Sequence, residues 1–176
     1  EGGVLDFNGD IHFCPYGAEV GQKISSAGVV STYSLVYTTT NAYRGGVLNP
    51  MTGDIHFIPN YAPVGQKISS AGVVSTYSLI YTTNNSYRGG VLAPNGDIHF
   101  IPYCCAVGQK ISSSGIVSTY TLAYTNSVGA YTGGVVGLDG NIYCTIYEAK
   151  IGLKIYTFSV RPFSIGICTS PYLNKI

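Results

Sequence analysis

Gly89-Gly90-Val91-Leu92-Ala93-Pro94-Asn95-Gly96-Asp97-Ile98-His99-Phe100-Ile101-Pro102 decides how this chain is read, because the stretch is not unique. Upstream, Gly45-Gly46-Val47 runs on to Asp54-Ile55-His56-Phe57, and Gly2-Gly3-Val4 runs on to Asp10-Ile11-His12-Phe13. Downstream, Gly133-Gly134-Val135 and Asn141-Ile142-Tyr143-Cys144 form a weaker copy. Gly21-Gln22-Lys23-Ile24 returns as Gly65-Gln66-Lys67-Ile68 and Gly108-Gln109-Lys110-Ile111, with Gly152-Leu153-Lys154-Ile155 as an altered fourth. The unit is 43–44 residues long and occurs four times, at approximately 1–44, 45–88, 89–132 and 133–176 of one repeat domain. A fixed period of this length is the signature of stacked supersecondary units.

One unit reads as four strands. Asn95-Gly96 between extended runs predicts a tight hairpin of type I′, with positive φ at both central residues. Asn8-Gly9 and Asp139-Gly140 stand at the same point, and Met51-Thr52-Gly53 makes the second copy one residue longer. Residues 97–102 are then a second strand and 108–112 a third. Ser113-Ser114-Gly115 turns the chain into a fourth strand over 116–125, rich in Val, Thr and Tyr. No helical periodicity appears.

Four antiparallel strands per unit predict an all-β chain, a β-propeller of four four-stranded blades. A β-trefoil has three such units, and β-helix coils are shorter and parallel. The Gly-Gly pair suits the innermost strand, where bulky side chains would clash at the axis. Pro162 suits an outer edge strand, and the divergent ending fits a terminal repeat. The length of 176 residues fits a single domain.

Charge excludes one class of partner. Nine Lys and Arg against eight Asp and Glu give no electrostatic case for nucleic acid. No apolar run approaches the roughly 20 residues that span a bilayer. The chain opens on Glu1, which reads as a removed start, so the lack of a signal peptide says nothing about export. The five Cys lack paired metal spacing; they read as small apolar fillers or free thiols rather than a disulfide or zinc framework. No phosphate loop, Ser-His-Asp arrangement or paired carboxylates are found, and no cofactor is expected.

Gly89 to Pro102 resembles the propeller repeats found in algae, large viruses and marine microbes, of the form GGV-x-APNG-x-I-x-x-IP. The resemblance covers three repeats well and the fourth loosely. It implies the propeller fold and no active site.

In a four-strand meander, the turns joining strands one to two and three to four share one end. Asn-Gly-Asp and Ser-Ser-Ala-Gly keep that end nearly constant. The other end varies, through Cys14-Pro15-Tyr16, Pro59-Asn60-Tyr61, Pro102-Tyr103-Cys104 and Tyr147-Glu148, and through inter-blade loops carrying Tyr43, Arg44, Tyr87, Arg88 and Tyr131. Tyr offers large contact area at low entropic cost, and Arg a fork of donors. Tyr43, Arg44, Tyr61, Tyr87, Arg88, Tyr103 and Tyr131 are therefore the candidate ligand-binding residues, against the alternative that loops simply drift.

His12, His56 and His99 raise a metal reading, against which stands a His packed and hydrogen-bonded between blades. Asp10, Asp54 and Asp97 read as turn stabilisers, and Lys23, Lys67, Lys110 and Lys154 as stems laid along apolar surface. The expected role is a non-enzymatic recognition or structural module, extracellular or virion-associated, that binds carbohydrate or a protein surface. The alternative is an enzyme or metal protein using the central channel. Near-identical repeats present near-identical edges, so two chains are expected to join end to end in an eight-bladed ring.

Overall fold

The computed structural model describes residues 2–124 and 129–157. They form fifteen strands in four antiparallel sheets, each in strict sequence order. The first sheet contains β1 (Gly3–Leu5), β2 (Ile11–Phe13), β3 (Val20–Ile24) and β4 (Val30–Ser34). The second contains β5 (Tyr43–Leu48), β6 (Ile55–Pro59), β7 (Val64–Ile68) and β8 (Val74–Ser78). The third contains β9 (Tyr87–Leu92), β10 (Ile98–Pro102), β11 (Val107–Ile111) and β12 (Val117–Thr121). The fourth contains β13 (Tyr131–Val136), β14 (Ile142–Ile146) and β15 (Lys154–Ile155). The strand anticipated around Pro162 lies outside the described residues.

The first strands of successive sheets touch one another, β1 with β5, β5 with β9 and β9 with β13. Glycine makes this approach close enough. Gly45 has φ 82°, and a Cβ placed there would lie 3.1 Å from the Cα of Gly89. The Gly-Gly pairs therefore sit at the crowded axis, as their lack of side chains requires.

Each of the two middle sheets presents its two faces to two neighbours. Gly90, Phe100 and Gln109 are cross-strand partners on one face. A Cβ at Gly90 would meet Val47 and Ile58 of the preceding sheet. Gln109 Oε1 reaches further out on that same face and accepts the backbone N–H groups of Ile80 and Tyr81, at 3.0 and 2.9 Å. Gln66 does the same for Val36 and Tyr37, at 3.0 and 2.8 Å. This explains why β4 and β8 are shorter than the ten residues anticipated for a fourth strand; β12 also stops at Thr121, short of the anticipated 116–125, although Leu153 stands in the fourth sheet where the others carry glutamine. Past Ser34 and Ser78 the backbone leaves its own ladder and donates to the next sheet's glutamine.

The hairpins differ from the expected type I′. Gly96 N–H closes on Ala93 C=O at 2.9 Å, and Gly96 alone has positive φ there, at 84°. Pro94 fixes a negative φ at the first central position, so the loop is a type I turn followed by a left-handed glycine. The second copy closes one residue later, from Gly53 N–H to Asn49 C=O, as its extra residue demands.

Opposite faces of the middle sheets carry different chemistry. The face toward the following sheet holds His56 beside Tyr77 and His99 beside Tyr120, with Nδ1 to hydroxyl distances of 3.3 and 3.1 Å. The tyrosine ring also covers the glycine opposite it. A Cβ at Gly65 would fall 2.1 Å from the ring of Tyr77. At the constant end, Asp10, Asp54 and Asp97 pair with Lys23, Lys67 and Lys110 at 2.6, 2.5 and 2.6 Å. Asp10 and Asp97 also accept the backbone N–H groups of Ser26 and Ser113, tying the two hairpins of that end together. The lysines are thus ion-pair partners as well as apolar stems. Cys14, Cys104, Cys105 and Cys144 form no disulfide; Cys168 lies outside the described residues.

Candidate functional site

The variable end is built by a string of backbone bonds between sheets. Ala42 donates to Tyr16 C=O, Asn85 to Asn60 C=O, and Ala130 to Tyr103 C=O. Asn41 and Asn85 hold φ of 63° and 61° in the linking loops, with Gly129 at 48° in the next copy. Asn and Gly are the residues that tolerate this left-handed geometry. The chain then enters each inner strand at a tyrosine rather than at the Gly-Gly pair. The strands start at Tyr43, Tyr87 and Tyr131, two residues earlier than the repeat boundaries.

That shift corrects three of the candidate residues. Tyr43, Tyr87 and Tyr131 are fully buried, and their hydroxyls donate to Val64, Val107 and Ile151 C=O at 3.1, 3.2 and 2.8 Å. Their rings pack among Tyr37, Phe57, Tyr81 and Phe100. They are core anchors and present no surface to a ligand. Their neighbours in sequence point the other way. Arg44 and Arg88 instead lie where the inner strands meet.

Arg44, Gly45, Arg88, Gly89, Gly2 and Thr132 line an open cavity of about 360 Å³ where the inner strands begin. Arg44 lies over the ring of Tyr16, its guanidinium carbon 4.8 Å from the ring centre. Arg88 lies over Tyr103 at 4.0 Å and near Tyr147 at 5.7 Å, and those two rings are 6.0 Å apart. Burial pushes the Tyr103 phenol up, with Glu148 acting in the same direction and Arg44 against it. Two guanidiniums therefore line one mouth, each backed by a tyrosine ring, with one carboxylate, Glu148, near Tyr103. Stacking fixes the planar guanidiniums at low entropic cost. Arg88 Nε is buried and has no acceptor among the described residues.

The structure thus gathers Arg44, Arg88 and Tyr103 from the sequence candidates. It adds Tyr16 and Tyr147, which occupy the same repeat position as Tyr103. That equivalence was readable in the alignment of copies; that arginine from the linking loop would lie over them was not. Tyr61 stands one position further along its loop and is exposed, and no arginine is recorded over its ring among the described residues.

The histidines lie elsewhere. His56 and His99 are buried at separate sheet junctions, and burial, with Lys67 or Lys110 nearby, pushes each down to about 4. A cleft of about 330 Å³ between the third and fourth sheets includes His99, Lys110 and Tyr120. His12 instead approaches Asp6 at 3.4 Å, and Asp6, Asp10 and His12 place possible ligand atoms within 4.8 Å of one another. Lys23 Nζ already occupies the Asp10 carboxylate, at 2.6 Å.

The same order of sheets is found in solved proteins. A streptogramin B lyase superposes with a TM-score of 0.72 at 22% identity, over 88% of this chain and 50% of that one. The fold is a β-propeller. Virginiamycin B lyase from Staphylococcus aureus gives a TM-score of 0.69 at 19% identity, over 82% of this chain and 47% of that one. A putative gluconolactonase gives 0.62 at 13% identity, over 90% and 64%. The chain spans about half the length of the two lyases. No family model matches it, and no curated protein does.

Proposed function

We propose that this propeller is a non-enzymatic recognition module that binds an acidic carbohydrate at the Arg44–Arg88 mouth. The observation that carries this reading is Arg88. It is held over Tyr103, its guanidinium carbon 4.0 Å from the ring centre, and lines an open cavity together with Arg44. An arginine fork favours a carboxylate, which takes two of its donors at once. The tyrosines beside it offer flat faces and hydroxyls to the rest of a sugar chain. The cavity is of the size that small ligands fill, roughly 300 Å³ and above.

A glycan array tests the reading. Uronate- and sialate-bearing glycans should bind above their neutral counterparts, and Arg44→Gln with Arg88→Gln should abolish the difference. Signal that ignores acidity, or survives the double substitution, overturns it.

A second reading, catalysis at the same mouth, rests on the fold shared with the lyases. Fold alone carries no chemistry to this chain. Turnover of a streptogramin by purified protein, lost in the arginine variants, would move the balance to it.

A further inference from the structure

The two ends of the row of sheets are unlike its middle. In the second and third sheets, Ile55, Phe57, Ile98 and Phe100 are buried against the preceding sheet, as are Gln66 and Gln109. Their counterparts in the first sheet are uncovered: Leu5, Ile11 and Phe13 are 60%, 40% and 37% exposed, and Gln22 is exposed too. At the other end the opposite face is uncovered. Val47 and Val91 are 9% exposed, yet their counterpart Val135 is 64% exposed and Tyr143 is 41% exposed.

These are the two halves of one joint. Within the chain that joint is made three times, by the same positions each time. Val4 and Cys14 meet Gly46, Val47 and Ile58 meet Gly90, and Val91 and Ile101 meet Gly134. The fourth sheet repeats the donor half with Val135 and Thr145. The first sheet repeats the acceptor half with Gly3, which meets only residues of its own sheet.

We propose that a second copy of this chain closes the ring. The fourth sheet of each copy would pack on the first sheet of the other, giving eight blades around a two-fold axis. Val135 would take the place against Gly3 that Val91 takes against Gly134. Head-to-tail contacts of this kind form a closed ring when the rotation closes, and eight blades lie within the range propellers use, about four to eight. The uncovered apolar faces supply the driving force, since exposed sheet faces of this kind favour association. Arg44 and Arg88 of both copies would then surround one axial mouth. Only that last consequence rests on the proposed carbohydrate reading; closure itself does not.

Light scattering after size exclusion tests closure without any ligand. The chain should elute as one species at twice its 18.6 kDa mass. Phe13→Asp and Val135→Asp should each give a monomer with an unchanged far-UV spectrum, with dimer dissociation raised at least 100-fold. Both residues are exposed in the single chain, so their loss should not unfold it. Val73→Lys, at an exposed hairpin remote from the joint, should leave the dimer intact. A monomer at all concentrations, an open-ended polymer, or a dimer indifferent to both Asp variants overturns the proposal. Array binding by a monomeric wild-type chain would sink closure and leave the carbohydrate reading standing.

Discussion

Acidification should weaken this fold, and the cause is two buried histidines. His56 and His99 are 5% and 2% exposed. Burial, with a lysine ammonium nearby, lowers each from 6.5 to about 4. The folded state therefore keeps both neutral over a range in which the unfolded chain protonates them. Their contribution is complete above pH 6.5 and is lost as pH falls from 6.5 toward 4, because there the unfolded state binds more protons. At pH 5, linkage with these two values gives a loss of about 2 kcal/mol per histidine, or about 4 kcal/mol for both. Asp10 is held below its ordinary value by Lys23 and stays charged at that pH. The assay is urea unfolding followed by circular dichroism at pH 7.5 and pH 5.0. Wild type should lose about 4 kcal/mol between them, and His56→Gln/His99→Gln should lose little of its remaining stability. A wild-type loss below about 1 kcal/mol, or an equal loss in the double variant, would refute the reasoning.

Two further substitutions probe the joints and the core. Gln66→Leu removes the acceptor of the part-buried N–H groups of Val36 and Tyr37, so it should cost roughly 1–3 kcal/mol, read as a lower urea midpoint. Tyr87→Phe removes only the hydroxyl that donates to Val107. It should cost about 1 kcal/mol of stability and leave glycan-array binding unchanged, which separates the core tyrosines from the mouth.

The repeat carried most of the fold. Its period, turns and Gly-Gly pairs were enough to place four sheets around an axis, because each copy had to satisfy the same local rules. Three things were not legible, each for a long-range reason. Strands β4 and β8 end early because Gln66 and Gln109, about thirty residues downstream, capture backbone donors that a local reading assigns to the ladder. The third hairpin avoids type I′ because the residue before Asn95 is Pro94, and the first and fourth close the same way, on Gly9 and Gly140 as the third residue of the loop, with Phe7 and Leu138 in the place of the proline. Tyr43, Tyr87 and Tyr131 looked like loop residues, since the identical Gly-Gly pair beside them drew the boundary two positions late. Their hydroxyl acceptors lie some twenty residues away, across the sheet.

Side-chain nitrogen spectra of the chain, titrated with a uronate-bearing oligosaccharide, test the central claim most directly. The Arg88 Nε–H has no acceptor among the described residues. A carboxylate bound at the mouth should shift this resonance saturably and downfield, together with that of Arg44, while the backbone signals of the Asp97–Lys110 end stay in place. Saturable binding that leaves both arginine signals unmoved, or no saturable shift at all, would contradict the account.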